Sequence, residues 1–176
     1  MRTLKRILLA LVVLLILAAV GFIAIGLIFP KITYKSEVVI NKPVDKVWEY
    51  YVDEGKMAER IDGFLKIEPI SGSRNKPGDK SRLSFDRDGH QIVMTETITE
   101  YKEQKTFAFR LENEVITDDA RVTFKAAEGK TIVSQEDTIV GGNILWRSLF
   151  AVLRSSMKSN VEKLLLNLKT NLEQTP

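Results

Sequence analysis

The sequence predicts an α+β fold preceded by one apolar helix, and three observations predict it. Ile7 to Phe29 is a run of 23 residues without a charge. Between Phe64 and Val140, apolar residues alternate in short segments separated by turn residues. From Ile144 the apolar spacing becomes helical and stays so almost to the C-terminus.

The charge-free run comes first. At the helical rise it would span about 34 Å, more than the roughly 30 Å hydrocarbon layer of a bilayer. Glycine is tolerated in membrane helices, so Gly21 and Gly26 do not break it, and Pro30 stops it where the interface is expected. In lipid a single span must be helical to satisfy its own backbone. A cleaved signal peptide is the alternative. Its apolar region is shorter and ends at a small-x-small site, unlike Ile28-Phe29-Pro30. Residues 1–30 are therefore expected to be a transmembrane anchor that meets the bilayer through residues 7–29, with residues 31–176 forming one domain. Arg2, Lys5 and Arg6 precede the span, while Lys31, Lys35 and Lys42 follow it. The tighter cluster ahead of the span favours a cytoplasmic N-terminus with the domain outside the cytoplasm. Gly21 and Gly26 lack the GxxxG spacing, so no dimerisation face is expected and the oligomeric state is left open.

In the domain, Lys31 to Asn41 alternates and predicts a strand. Pro43 suits a helix start, and Val44, Val47, Trp48 and Tyr51 recur at helical spacing over Val44 to Val52. Gly55 to Ile61 predicts a second short helix. Six strands follow: Phe64 to Ile70, Ser81 to Asp86, His90 to Tyr101, Thr106 to Glu112, Ala120 to Ala126 and Thr131 to Val140. Asp88-Gly89 and Glu128-Gly129 are hairpin signals, and Ser71 to Asp79 is a loop. After Gly141-Gly142-Asn143, one apolar stripe runs through Trp146, Leu149, Phe150, Leu153, Met157, Val161, Leu164, Leu168 and Leu172, predicting a single long helix. The apolar face of the sheet and the stripe of that helix are expected to bury each other.

This element order resembles the SRPBCC superfamily, of START-like or polyketide cyclase/dehydrase type. The stretch from Val38 to Trp48, Thr97 to Tyr101, the Gly141-Gly142 break and the tail Leu164 to Lys169 carry the resemblance over residues 34 to 173. It implies a helix-grip fold, in which a curved antiparallel sheet wraps the C-terminal helix around an apolar cavity. It also implies a hydrophobic small-molecule ligand such as a lipid, isoprenoid, sterol or polyketide. The anchor departs from the typical soluble member.

The chemistry is restricted. A formal charge of +3 gives no argument for a nucleic-acid partner, and the absence of cysteine excludes disulfides and thiolate chemistry. His90, the only histidine, follows Asp88-Gly89 at a hairpin tip and receives no catalytic role. No metal site and no cofactor is expected, because ligand spacings and phosphate-binding glycine motifs are missing. Glu96 shares a strand face with Ile92, Met94 and Ile98. If that face lines a cavity, the carboxylate is desolvated and can act as acid, base or ligand partner. Otherwise it lies near a strand end or pairs with Arg82, Arg110 or Arg121. Gln135 and Asp137 raise the same question. The candidate lining is Trp48, Phe85, Met94, Glu96, Phe107, Phe109, Phe124, Trp146, Phe150, Leu153 and Met157, any of which can equally be core. Lys158, Lys163 and Lys169 are expected to be a solvated face.

Three functions follow. The first is membrane-tethered binding of a hydrophobic small molecule. The second is a cyclase, dehydrase or hydrolase using Glu96 or Asp137. The third is a filled interaction module, which a pocket below about 300 Å³ favours.

Overall fold

The computed structural model describes residues 2–174. Met1 of the expected anchor and the last two residues of the expected domain lie outside the described residues. In chain order the elements are α1 (Arg2–Ile28), β1 (Ile32–Ile40), α2 (Val44–Val52), a 3-10 turn (Glu54–Lys56), α3 (Met57–Arg60), β2 (Phe64–Ser71), β3 (Lys80–Arg87), β4 (His90–Lys102), β5 (Thr106–Glu112), β6 (Ile116–Ala127), β7 (Lys130–Gly141), α4 (Ile144–Val152) and α5 (Arg154–Gln174).

The strands form one antiparallel sheet of seven, ordered β1-β7-β6-β5-β4-β3-β2. The alternation that predicts each strand also sets which residues face inward. Asp88-Gly89 and Glu128-Gly129 turn two hairpins with positive φ at both positions, 55° and 80° in one and 47° and 76° in the other. A bulge between Ile98 and Glu100 shifts the β4–β5 register, and such bulges bend a sheet.

The main core lies between the sheet, α2 and α5. Leu165, Leu168 and Leu172 of α5 are buried with Val47, Trp48 and Tyr51 of α2 and with Phe107, Val122, Phe124 and Val133 of the sheet. Trp48 packs edge-on to Tyr101 and Phe124 at centroid separations of 5.3 and 5.2 Å. Burying a side chain of leucine size contributes about 1.5–3 kcal/mol.

Two expectations need correction. The C-terminal helix is not one rod. It breaks at Leu153, where φ −86° and ψ 6° leave the helical region. α5 stays against β1 and the core, while α4 packs on α1. The apolar stripe runs unbroken through Leu149, Phe150, Leu153 and Met157, so periodicity alone could not place the break. Strand β6 also begins at Ile116, four residues before the expected Ala120, and this brings Asp118 into the sheet.

α1 is long and apolar enough to cross a membrane, and its central stretch is exposed. Its end is not. The Gly26 amide donates to Ser148 Oγ at 3.1 Å, and that hydroxyl donates to the Ile144 carbonyl at 3.0 Å. A Cβ on Gly26 would lie 2.5 Å from Ser148 Oγ and 2.6 Å from the Ile144 oxygen. Gly26 thus has a packing role within the chain, letting the α1 and α4 backbones approach closely. Asn143 caps α4, its Oδ1 accepting from the amides of Leu145 and Trp146 at 3.0 and 3.1 Å.

Candidate functional site

The register puts a polar row across the inner face of the sheet. Tyr34 of β1 lies opposite Asp137 of β7, and Asp137 lies opposite Ala120 of β6. Asp118 is two residues before Ala120, so it shares that face. Leu111 lies opposite Asp118, Glu96 opposite Leu111 and Ser81 opposite Glu96. Gln135, two residues before Asp137, extends the row along β7.

Between this row and the helices lies a cavity of about 270 Å³. Leu83, Phe85, Met94, Phe109 and Leu111 form its sheet wall. Met57 and Ile61 close one side from the α3 region, and Val161 and Leu164 of α5 cover it. Exposed Asp62, Arg87, Asn160 and Lys163 stand at its rim. Lys163 is therefore more than a solvated-face residue, since it lines this rim and pairs with Asp62 at 2.6 Å.

Glu96 is buried in the wall and fully engaged. Arg74 Nη2 donates to Glu96 Oε1 at 2.9 Å, and Arg74 Nε donates to Oε2. The partner is none of the three arginines expected, because Arg110 pairs with Asp119 and Arg121 with Glu100. Arg74 belongs to the loop between β2 and β3. Asp79, itself buried, holds that loop by accepting from the amides of Ser73 and Asn75 at 3.2 Å each. A Cβ on Gly72 would meet the Asp79 carboxylate at 1.9 Å, so this turn requires glycine. Arg74 adopts φ 57°, the left-handed conformation that aims its side chain inward, and its guanidinium lies 4.9 Å from the Phe107 ring centroid.

The other end of the row is short of partners. Asp137 is 1% exposed and Gln135 4%. Gln135 Nε2 donates to Asp137 Oδ1 at 2.8 Å. Asp137 Oδ2, Gln135 Oε1 and Asp118 Oδ1 are sealed from solvent without a hydrogen-bond partner. Burial raises the pKa of Asp118, and the Asp137 charge raises it further. Asp137 is also raised by burial, against the lowering effect of the Gln135 hydrogen bond. The same burial, with both carboxylates nearby, raises the Tyr34 hydroxyl. Among the described residues, no group of three or more His, Asp or Glu is placed to hold a metal.

The sequence candidates fall into three places. Phe85, Met94, Glu96 and Phe109 line the cavity. Trp48, Phe107 and Phe124 lie in the packed aromatic core beside it. Trp146, Phe150, Leu153 and Met157 stand apart. Trp146 stacks on Phe150 at 5.8 Å, Phe150 and Met157 pack on Ile32, Tyr34 and Ile139, and Leu153 is 41% exposed. The break after α4 carries Trp146 and Phe150 away from the cavity, and Met157, at the start of α5, joins the Phe150 cluster instead. Arg74 and Asp118 were not among the candidates, because one sat in an expected loop and the other before an expected strand.

A curved antiparallel sheet gripping a C-terminal helix over an apolar cavity defines a helix-grip, hydrophobic-ligand-binding fold. The model of the family described as polyketide cyclase / dehydrase and lipid transport matches residues 31–173, and the chain belongs to that family. No curated protein is similar enough to count as a match. Among solved structures, Ara h 8.0201 is 15% identical with a TM-score of 0.69, over 82% of this chain and 99% of its own. Zhui aromatase/cyclase from Streptomyces sp. R1128 is 16% identical with a TM-score of 0.65, over 82% and 94%. A Thermus thermophilus protein is 18% identical with a TM-score of 0.65, over 80% and 97%. At these identities the likeness is one of fold.

Proposed function

We propose that this chain is a membrane-tethered protein that binds a hydrophobic small molecule, of lipid, isoprenoid or polyketide-like chemistry, between its sheet and α5. The observation that carries this is the cavity itself, with walls of Leu83, Phe85, Met94, Phe109 and Leu111 and a few convergent polar groups. Its volume, about 270 Å³, lies just under the 300 Å³ line below which a filled module is favoured, so size alone speaks for the module. The lining speaks for a ligand, because three buried oxygens on residues that line the cavity lack a hydrogen-bond partner, which is costly in a finished core. The test is native mass spectrometry on the full chain released from lipid nanodiscs. Retention of a lipid or isoprenoid by the domain supports the proposal, and a ligand-free protein throughout contradicts it.

The tether is residues 1–30 in this proposal, with residues 31–176 as the binding domain and the N-terminus cytoplasmic. α1 supplies a span of sufficient length. α4, docked on the last turns of α1, leaves Leu145, Val152 and Leu153 exposed, an apolar face that suits the bilayer surface. Protease protection of the domain in sealed vesicles tests the orientation.

A second function, acid–base catalysis, is favoured by one observation: Asp118 and Asp137 both line the cavity, where burial raises their carboxyls above the ordinary range. Glu96 does not serve this role, since Arg74 occupies both its oxygens. Ordinary carboxyl titration of both aspartates by NMR would remove this alternative.

A further inference from the structure

The binding proposal leaves the head group of the ligand open, and the β6–β7 end of the cavity constrains it. Asp118 Oδ1, Asp137 Oδ2 and Gln135 Oε1 are three acceptors without a donor, on residues that all line one cavity. Asp137 and Gln135 are each more than nine-tenths buried. The nearby side-chain amide, Gln135 Nε2, uses one of its two N–H donors on Asp137 Oδ1. An ionised carboxylate accepts and does not donate, so an acid or a phosphate brought here would meet the negative charge that the pair retains.

We propose that the cavity takes an amphiphile whose apolar body lies along the Phe85, Met94 and Phe109 wall and whose single ammonium head sits on Asp118, Asp137 and Gln135. A primary ammonium carries three N–H donors and no acceptor, which matches three free acceptors. Repulsion between two buried carboxylates keeps one of them protonated, so the pair presents one negative charge to one positive head. The cationic groups around the same cavity offer an anionic head much less. Arg74 is held by Glu96 and Lys163 by Asp62, and Arg87, exposed at the rim, has the Asp62 charge nearby. Arg60 stacks 4.1 Å from the Tyr51 ring centroid and donates Nη2 to the Tyr51 carbonyl, leaving Nε as a buried donor without a partner.

This inference rests on the cavity being a binding site, and the experiment separates the two. The full chain, labelled at its methionine methyls, is held in phosphatidylcholine nanodiscs and titrated with decylamine, decanol and decanoate, with concentrations corrected for partition into the bilayer. Met57 and Met94 line the cavity, and Met157 lies outside it as an internal control. Decylamine is expected to shift the Met57 and Met94 methyls but not Met157, with an affinity about tenfold or more above the other two, as a charge-assisted contact provides. Asp118→Asn and Asp137→Asn, which keep the side-chain shape, are each expected to remove that preference, so that decylamine binds no more tightly than decanol. Equal affinity for decylamine and decanol, or a preference for decanoate, overturns the head-group assignment and leaves the cavity reading standing. An amine preference that survives both substitutions also overturns it. No shift at Met57 and Met94 with any of the three overturns both.

Discussion

Arg74 and Glu96 meet through both carboxylate oxygens, with their side chains only 5% and 2% exposed. The pair ties the loop between β2 and β3 to the floor of the sheet, so the wall of the cavity depends on a residue held outside regular structure. Removing one member strands the other as a buried charge. Arg74→Ala is therefore expected to cost about 3–5 kcal/mol in urea unfolding, and the double replacement Arg74→Met with Glu96→Met distinctly less. A loss below about 1 kcal/mol for the single variant would contradict a structural role for the pair.

The Asp118 and Asp137 pair gives stability a pH dependence with a definite sign. Both pKa values are raised in the folded state above the ordinary 3.8. The folded chain thus holds more protons than the unfolded chain across that window. Their contribution is fully present below 3.8 and is lost as pH rises through the raised values. Gln135 and Tyr34 share the pair's face, and Asp119 and Glu136 act on it through their charge from the opposite face of the sheet. Asp118→Asn removes one of the two acids. The stability of Asp118→Asn relative to wild type is expected to be flat in acid and to grow by about 1–3 kcal/mol towards neutral pH in paired urea titrations. A difference that shrinks with rising pH would reverse the assignment.

The α1–α4 contact depends on the missing Cβ of Gly26. Gly26→Val would drive a side chain into Ser148 Oγ and the Ile144 carbonyl, where a Cβ already lies within 2.6 Å. The expected outcome is separation of α4 from α1, with about 1–3 kcal/mol lost and faster tryptic cleavage at Lys31 in nanodiscs. Wild-type cleavage rates in this variant would show that the two helices do not depend on each other.

Filling the cavity should block the ligand without unfolding the domain. Met94→Trp places a larger ring where Met94 now meets open space beside Phe85 and Phe109. Ligand affinity is expected to fall about tenfold or more, at a stability cost of about 1–3 kcal/mol. Unchanged affinity would place the ligand elsewhere.

Much of the fold was legible because burial imposes period. Alternation through Phe107, Phe109 and Leu111 marked β5, and Val44, Val47, Trp48 and Tyr51 marked α2 with its observed bounds. The two hairpin dipeptides turned as their residue types require. The site was less legible, for three reasons. Asp118-Asp119 looks like a strand breaker, yet β6 runs through it, because pairing to Ile139 and Thr138 outweighs weak propensity. Arg74 reaches Glu96 through a left-handed backbone that only the Asp79-held loop explains. Trp48 and Phe109 have the same chemistry in sequence, although one fills the core and the other borders space, because packing between elements decides which.

The central claim is that the space between the sheet and α5 is a ligand chamber. The most direct measurement is the set of intermolecular NOEs between a hydrophobic molecule co-purified with the full chain and its methionine methyls. The claim predicts contacts to Met57 and Met94, which line that space, and none to Met157. Contacts confined to residues of α1 and α4, with water filling the space beside Met94, would contradict it.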